Sequence, residues 1–304
     1  MPDIAQSVID RLRSKSRTSG RTVQLILQLF CQEEFLRRLQ RSRHHSNLIL
    51  KGGLLLYSLS GFTSRPTMDV DFLARRMPAD PVIIERVVRE IIGTSTGNDY
   101  VIFEIKGIES ITEFREYNGV RVSLIGCIKN TRTPFHIDMG IGDMIVPMPL
   151  ERAIPTQLDG FEEPVILTYS LESTVAEKLD AIISRMELNS RMKDFYDLYY
   201  LASTYSFDAR TLQEALFQTL QHRGTPFDGD SLRKVRQLAS MIDVQTRWSR
   251  FASSRLGIRI SLVEVLDIVY IFLEPVFEAI VNEREIFGTW DPAQRRYVSV
   301  SNHS

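Results

Sequence analysis

Cysteine is scarce in this chain: two residues, Cys31 and Cys127, in 304. That excludes a disulfide framework and a cysteine zinc site. No charge-free apolar run approaches the ~20 residues needed to span a bilayer. The richest stretch, residues 260–281, is interrupted by Glu264, Asp267, Glu274 and Pro275 and reads as a buried helix. The start of the chain lacks an apolar core with a small-residue cleavage site, so no secretory leader is expected. No P-loop pattern, no His-Arg-Asp triplet, no internal repeat and no low-complexity linker occurs. Nor does one sign of charge dominate: 37 Lys and Arg face 38 Asp and Glu, net −1. A global electrostatic pull on nucleic acid is therefore excluded. These absences predict a globular cytoplasmic chain with no membrane segment.

What is present is 43% hydrophobic and 25% charged residues, the balance of a packed globular protein. The first 45 residues are helical in period, with Val23, Ile26, Leu27, Phe30 and Phe35 on one stripe. "NLILKGG" is a short apolar run ended by glycines, and "LLLYSLS" after it predicts a helix. "DVDFLA" has the length and composition of a buried strand. Residues 80–92 are helical in period, and residues 100–146 alternate β-branched runs with turn signals, a meander of strands. Near Pro164 the texture changes. "SLESTVAEKLDAIISRM" and "NSRMKDFYDLYYLAS" predict an αα-hairpin with Ser170 as N-cap. Mostly helical sequence follows to about residue 285. The expectation is an α+β protein: a mixed β-sheet domain with flanking helices over residues 1–165, then a mostly helical domain over 166–304.

Charge is uneven along the chain. Residues 11–22 carry Arg11, Arg13, Lys15, Arg17 and Arg21 with no acid. Residues 231–260 carry seven basic residues against Asp243 alone. Either stretch can track a phosphate backbone, and either can equally be a solvated helix face.

The acids in "RPTMDVDFLA" carry the chemistry. Along a strand side chains alternate, so Asp69 and Asp71 share one face while Val70 and Phe72 share the other. Two carboxylates on one face repel unless a divalent cation lies between them. Mg²⁺ takes a couple of carboxylates together with substrate phosphates. Asp138 in "FHIDMGIG" supplies a third acid on another strand. Such a set is a seat for metal-assisted phosphoryl or nucleotidyl transfer. Gly52 and Gly53 lie between a short strand and a helix, where a bare backbone and free helical N–H groups can receive phosphate. Two adjacent glycines alone are a weak signal; followed after fifteen residues by Asp-x-Asp on an apolar strand they are a specific one.

This pattern resembles the nucleotidyltransferase superfamily of the DNA polymerase β type. More closely it is similar to the AbiEii/AbiGii toxin family of type IV toxin–antitoxin and abortive-infection systems. The resemblance covers most of residues 45–205 and rests on "LKGG", "RPTMDVDF", "IDMGIGD", "AEKLDAIISR" and "NSRMKDFYDLYYL". It implies a nucleotidyltransferase-like fold, an NTP substrate, Mg²⁺ (two ions), transfer of nucleotides to an RNA 3′ end such as the tRNA acceptor end, and a cognate antitoxin. One departure stands out: Gly-Gly replaces the Gly-Ser of many superfamily members. Phosphate contact then falls to backbone N–H groups or to Ser58, Ser60 or Ser64.

Lys178 lies on a largely apolar helical face with Thr174, Val175 and Ile182. Its stem packing there while the ammonium reaches water is an equal reading of the residues alone. The resemblance implies a role on the NTP phosphates, as a point charge. Asp194 and Asp197 are three apart and share a helix face. Hairpin levels bring Asp197 nearer to Lys178, while the family pattern favours Asp194 as the catalytic acid, orienting Lys178 or assisting deprotonation of the acceptor. Asp194 is preferred, with Asp197 second as a nucleotide-binding residue. His136 shares the face of Asp138; His44 and His45 read as surface loop, Asp143 as a turn cap, Tyr196, Tyr199 and Tyr200 as core.

The expected protein is a Mg²⁺-dependent nucleotidyltransferase toxin, monomeric unless residues 260–281 hide an interface. Metal falls to Asp69, Asp71 and Asp138, phosphate to Gly52, Gly53 and Lys178. The alternatives are an inactive nucleotidyltransferase fold that binds nucleotide or protein, transfer to a protein side chain, and, more weakly, a kinase.

Overall fold

The computed structural model describes residues 3–113 and 117–299. The chain divides into two units, Met1–Asp143 with Pro149–Tyr169, and Met144–Met148 with Ser170–Ser304.

The first unit opens with helices α1 (Ile4–Ser19) and α2 (Val23–Arg41), capped by the Asp3 and Thr22 side chains. Strand β1 (Leu48–Lys51) runs directly into helix α3 (Gly52–Leu59), and β2 (Asp69–Ala74) follows. Helix α4 (Pro81–Ile92) carries Pro at its start, where its missing N–H costs nothing. The meander is β3 (Val101–Glu113), β4 (Tyr117–Ile128) and β5 (Thr131–Ile141). Strands β6 (Leu150–Ala153) and β7 (Val165–Thr168) complete a seven-stranded mixed sheet in the order β3-β4-β5-β2-β1-β7-β6. Parallel β2–β5 and β1–β7 contacts sit at its centre.

One face of this sheet is apolar. Val70, Phe72, Val120, Val122, Ile137 and Met139 are buried. Helix α2 packs on β5 and β7, and α4 packs on β3 and β4. Helix α2 also holds four buried charges, Glu33, Glu34, Arg37 and Arg38, which pair with one another. Sequence periodicity does not pick out β6 and β7: Leu-Glu-Arg-Ala and Val-Ile-Leu-Thr are four residues each, too short to establish a period, and they show only through their pairing.

The second unit begins with the αα-hairpin, α5 (Leu171–Arg185) and α6 (Met192–Thr204), joined by a short 3₁₀ turn. Ser170 caps α5 by accepting from the Ser173 N–H at 3.0 Å, as its sequence position predicts. Strand β8 (Phe207–Asp208), helices α7 (Ala209–His222), α8 (Ser231–Gln237) and α9 (Ile242–Phe251) follow. Helix α10 (Leu262–Val281) is the apolar stretch that sequence reads as buried: Val265, Leu266, Val269, Phe272, Leu273 and Val276 are inaccessible, against α6, α7 and α8. Strands β9 (Thr289–Asp291) and β10 (Arg296–Val298) form a three-stranded sheet with β8, an addition to the mostly helical texture expected.

Candidate active site

Asp71 and Asp138 of the first unit lie in a charged row across four strands. Asp71 on β2 stands opposite Lys51 on β1 and Asp138 on β5, and Asp138 stands opposite Arg121 on β4. Directly opposed residues project from the same face of a sheet. The row therefore reads Arg121, Asp138, Asp71, Lys51, on the face away from Val70, Phe72 and the helices. The next row holds Asp69, His136 and Ser123, with Ser123 Oγ 3.1 Å from His136 Nδ1. Asp69, Asp71 and Asp138 are all half-buried.

Each neighbour has a definite hold on its acid. Arg121 donates from Nε and Nη2 to the two oxygens of Asp138, each at 2.7 Å. That hydrogen-bonded pair raises the guanidinium above its usual range. Lys51 Nζ reaches Asp143 Oδ2 at 2.8 Å and lies over the Tyr169 ring. Asp143 thus pairs with a lysine. The amides of Gln28 and Gln32, both buried on α2, donate to the Met68 carbonyl and set the entry into β2 immediately before Asp69.

The glycine pair follows from this packing. Gly52 has φ +69°, and a Cβ there would lie 2.3 Å from Asp71 Oδ2. A Cβ on Gly53 would lie 2.8 Å from Thr67 Oγ1. Both positions must be bare for Asp71 and Thr67 to sit where they do. Helix α3 starts at Gly52 with no side-chain cap, so its first N–H groups are not taken by one. Ser58 is buried and donates to Leu55 O, and Ser60 Oγ donates to Tyr57 O at 2.7 Å with Ser64 Oγ 2.9 Å away. Those contacts tie the Ser58 and Ser60 hydroxyls to the local fold.

The donor set suits a hard divalent cation: carboxylate oxygens on a half-buried face. Among the described residues no three His, Cys, Asp or Glu side chains gather closely enough to hold a metal by themselves. Asp69 and Asp71 fit an ion whose remaining ligands come from substrate and water. Asp138 is engaged by Arg121.

In the second unit, Lys178 on α5 is buried, as are Asp194 and Asp197 on α6. Lys178 Nζ lies 2.6 Å from Asp197 Oδ2 and 3.2 Å from Asp194 Oδ1. The hairpin thus brings both acids to the one lysine, with Asp197 closer. Arg191 Nε approaches Asp194 Oδ2 at 3.1 Å. A buried ammonium held between two buried carboxylates is not a surface charge reaching water.

Comparison with known proteins decides the family. The family profile described as nucleotidyl transferase AbiEii toxin, type IV toxin–antitoxin system, matches residues 34–282. The chain belongs to the AbiEii family. Its members are nucleotidyltransferase toxins, and membership brings with it an NTP substrate and an antitoxin partner. No curated protein matches the chain. Among solved structures, a proposed nucleotidyltransferase from H. pylori is 14% identical, covering 87% of this chain and 100% of that one, with a TM-score of 0.47. JHP933 from Helicobacter pylori is also 14% identical, covering 86% and 95%, with a TM-score of 0.48. No helix of the described residues is long and apolar enough to cross a membrane.

In this AbiEii chain, sequence reading singled out Asp69, Asp71, Asp138, Gly52 and Gly53, and the first unit places all five at one end of the same sheet. It likewise grouped Lys178, Asp194 and Asp197, which touch in the second unit. It missed the roles of Lys51, Thr67 and Arg121. Alternation in "GVRVSLIG" would have set Arg121 and Ser123 apart from the buried Val120 and Val122, but the register that pairs Arg121 with Asp138 is not in the local sequence.

Proposed function

We propose that this AbiEii-family chain is a Mg²⁺-dependent toxin that transfers a nucleoside monophosphate from an NTP to an RNA 3′ end. The acceptor is the tRNA acceptor end, so that transfer stops translation and growth. The observation that supports this reading is the packing of Gly52 against Asp71, in a row where two adjacent carboxylates are flanked by Lys51 and Arg121. A bare backbone beside paired acids suits a phosphate with its cation, not a surface salt bridge.

Asp69 and Asp71 would hold the metal, which when bound supplies Lewis-acid polarisation of the phosphate and a more acidic acceptor hydroxyl. The two-ion form of the reading gives the second ion to Asp71 and Asp138, and requires Arg121 to yield its partner. Gly52, Gly53 and the first N–H groups of α3 receive phosphate oxygens. Lys178 neutralises the triphosphate as a point charge. Asp194 orients Lys178 or takes the acceptor proton; Asp197 holds the lysine from its other side. The 3′ oxygen of the RNA attacks the α-phosphorus. A new P–O bond forms as the bond to the α–β bridging oxygen breaks, and pyrophosphate leaves with that electron pair. The enzyme acts in the cytoplasm as a monomer, with NTP, RNA and a cognate antitoxin as its partners.

The test is incubation with each α-labelled NTP, Mg²⁺ and total RNA. Label should enter RNA, vanish with EDTA, and fall by about 10²-fold or more in Asp71→Asn and Lys178→Ala. Label on protein would move the acceptor to a side chain. Nucleotide binding without any transfer would make the chain an inactive binding module. Transfer from γ-label and not from α-label would make it a kinase.

A further inference from the structure

The sequence offers two basic stretches of similar look, and the structure separates them. In the first, Arg11 donates to Asp159 O, Lys15 to Gln157 O and Arg21 to Phe62 O, and Arg13 lies 3.6 Å from Asp10. Four of its five cations are engaged in the fold of the first unit. In the second, Arg233 pairs with Asp230, Lys234 with Asp228 and Arg236 with Asp267. Beyond them lies a segment of another kind.

From Val244 to Val263 there are four arginines and no acid. Arg247 donates to the carbonyls of Asn189 and Glu187, which fixes its position. Arg250, Arg255 and Arg259 are exposed, and none of the three makes a side-chain ion pair among the described residues.

The segment that presents these three is built, not loose. Arg250 lies on α9, which passes into a π-helical turn, Ala252–Leu256, closed by Gly257 at φ +66°. Trp248 is buried and donates from Nε1 to Ile260 O at 2.8 Å, folding the chain after the turn back onto α9. Arg259, the residue before that carbonyl, is thereby tied to the same local structure as Arg250. Arg250 and Arg255 are five residues apart, roughly 7 Å of helical rise at ~1.5 Å per residue.

We propose that Arg250, Arg255 and Arg259 form the surface by which this chain holds the phosphate backbone of helical RNA. The inference rests on the RNA-acceptor reading above and adds the surface that would hold that RNA. Unneutralised arginines on a rigid frame attract phosphates and release counterions. Proteins that hold single strands add aromatic side chains on which bases stack. Here Trp248 is buried under the segment and Phe251 is half-buried beside it, their rings 5.8 Å apart. No exposed aromatic lies between residues 244 and 263. Backbone and shape recognition of a duplex is what remains.

The test is the salt dependence of binding to an RNA hairpin and to an oligouridylate of equal length. Wild type should prefer the hairpin. The triple variant Arg250→Gln/Arg255→Gln/Arg259→Gln should show a plot of log affinity against log salt that is shallower by about 2–3, at ~0.7–0.9 per lost phosphate contact. Each single exchange should remove about one third of that. Arg13→Gln/Arg17→Gln, in the first stretch, should leave the slope as it is. An unchanged unfolding midpoint in the triple variant confirms that the arginines act on RNA and not on the fold. Hairpin binding by wild type with an equal slope in the triple variant overturns the assignment of this surface. So does an equal fall in the first-stretch variant, or a loss confined to oligouridylate. Absence of any RNA binding by wild type overturns the RNA-acceptor reading itself.

Discussion

Arg121 grips Asp138 from the neighbouring strand with two parallel N–H donors, and Asp138 is itself the strand neighbour of Asp71. The guanidinium therefore stands in the place where a second cation between Asp71 and Asp138 would find its ligand. Arg121→Gln should free that carboxylate beside Asp71. Two adjacent half-buried acids then attract a divalent ion more strongly. Binding of Mn²⁺ in the absence of nucleotide, followed by its electron paramagnetic signal, should tighten about tenfold, ~1.4 kcal/mol of local electrostatics. The fold should lose only about 1 kcal/mol, since the pair is partly exposed. Unchanged Mn²⁺ affinity would show that Asp138 takes no part in metal binding.

Gly52 combines a left-handed backbone with a carboxylate in the space of its absent Cβ. Gly61 has a similar φ, +60°, but open space around it. Gly61→Ala should carry only the left-handed penalty, about 1–2 kcal/mol of stability. Gly52→Ala should carry that penalty and also push Asp71 aside. Its nucleotidyl transfer should fall by about 10²-fold, as expected for a misplacement near 1 Å. Parallel assays of unfolding and transfer on the two variants separate strain from displacement; equal transfer by both would remove Gly52 from the phosphate turn.

Much of this was readable in the chain itself. Alternation along "DVDFLA" gave β2 and the shared face of Asp69 and Asp71, because a strand's period needs no partner. Helical spacing and a Ser170 cap gave the α5–α6 hairpin, whose short turn brings Lys178 to Asp194 and Asp197. What stayed hidden depends on register between distant strands. Lys51 opposes Asp71 across 20 positions and Arg121 opposes Asp138 across a hairpin, and neither relation has a local signature. Asp143 looked like a turn residue because its partner, Lys51, is 92 positions away. The two basic stretches look alike as strings and differ only in how many of their cations the fold consumes.

Lys178 stands between two acids that need not be equivalent. Asp197 is the closer at 2.6 Å, against 3.2 Å for Asp194. Asp197→Asn should cost more stability, on the order of 3 kcal/mol, because it takes the nearer countercharge from a buried ammonium. Asp194→Asn should cost less in urea unfolding yet more in transfer, with the fall in kcat and not in KM for NTP, if it is the acid that serves the reaction. The opposite ranking in transfer would move the catalytic role to Asp197. Lys178→Ala, which leaves two buried carboxylates side by side, should be the least stable of the three.

The buried charges on α2 predict how stability follows pH. Burial pushes the Glu33 carboxyl from 4.5 up to about 7, although the Gln157 N–H and the Arg37 guanidinium both pull it down. Between those two values the folded chain binds a proton that the unfolded chain has released. Its contribution to stability is therefore whole below about pH 4.5 and is lost as pH rises through about 7. Glu33→Gln removes this titration while keeping an acceptor for the Gln157 N–H, and Arg37 retains Glu34 at 3.1 Å. The variant should thus gain on wild type as pH rises from about 4 to about 8.5, by up to on the order of 3 kcal/mol. Urea unfolding of both chains across that range measures the gain. Stability curves that run parallel would mean that Glu33 is ionised throughout, its charge fully compensated by Arg37.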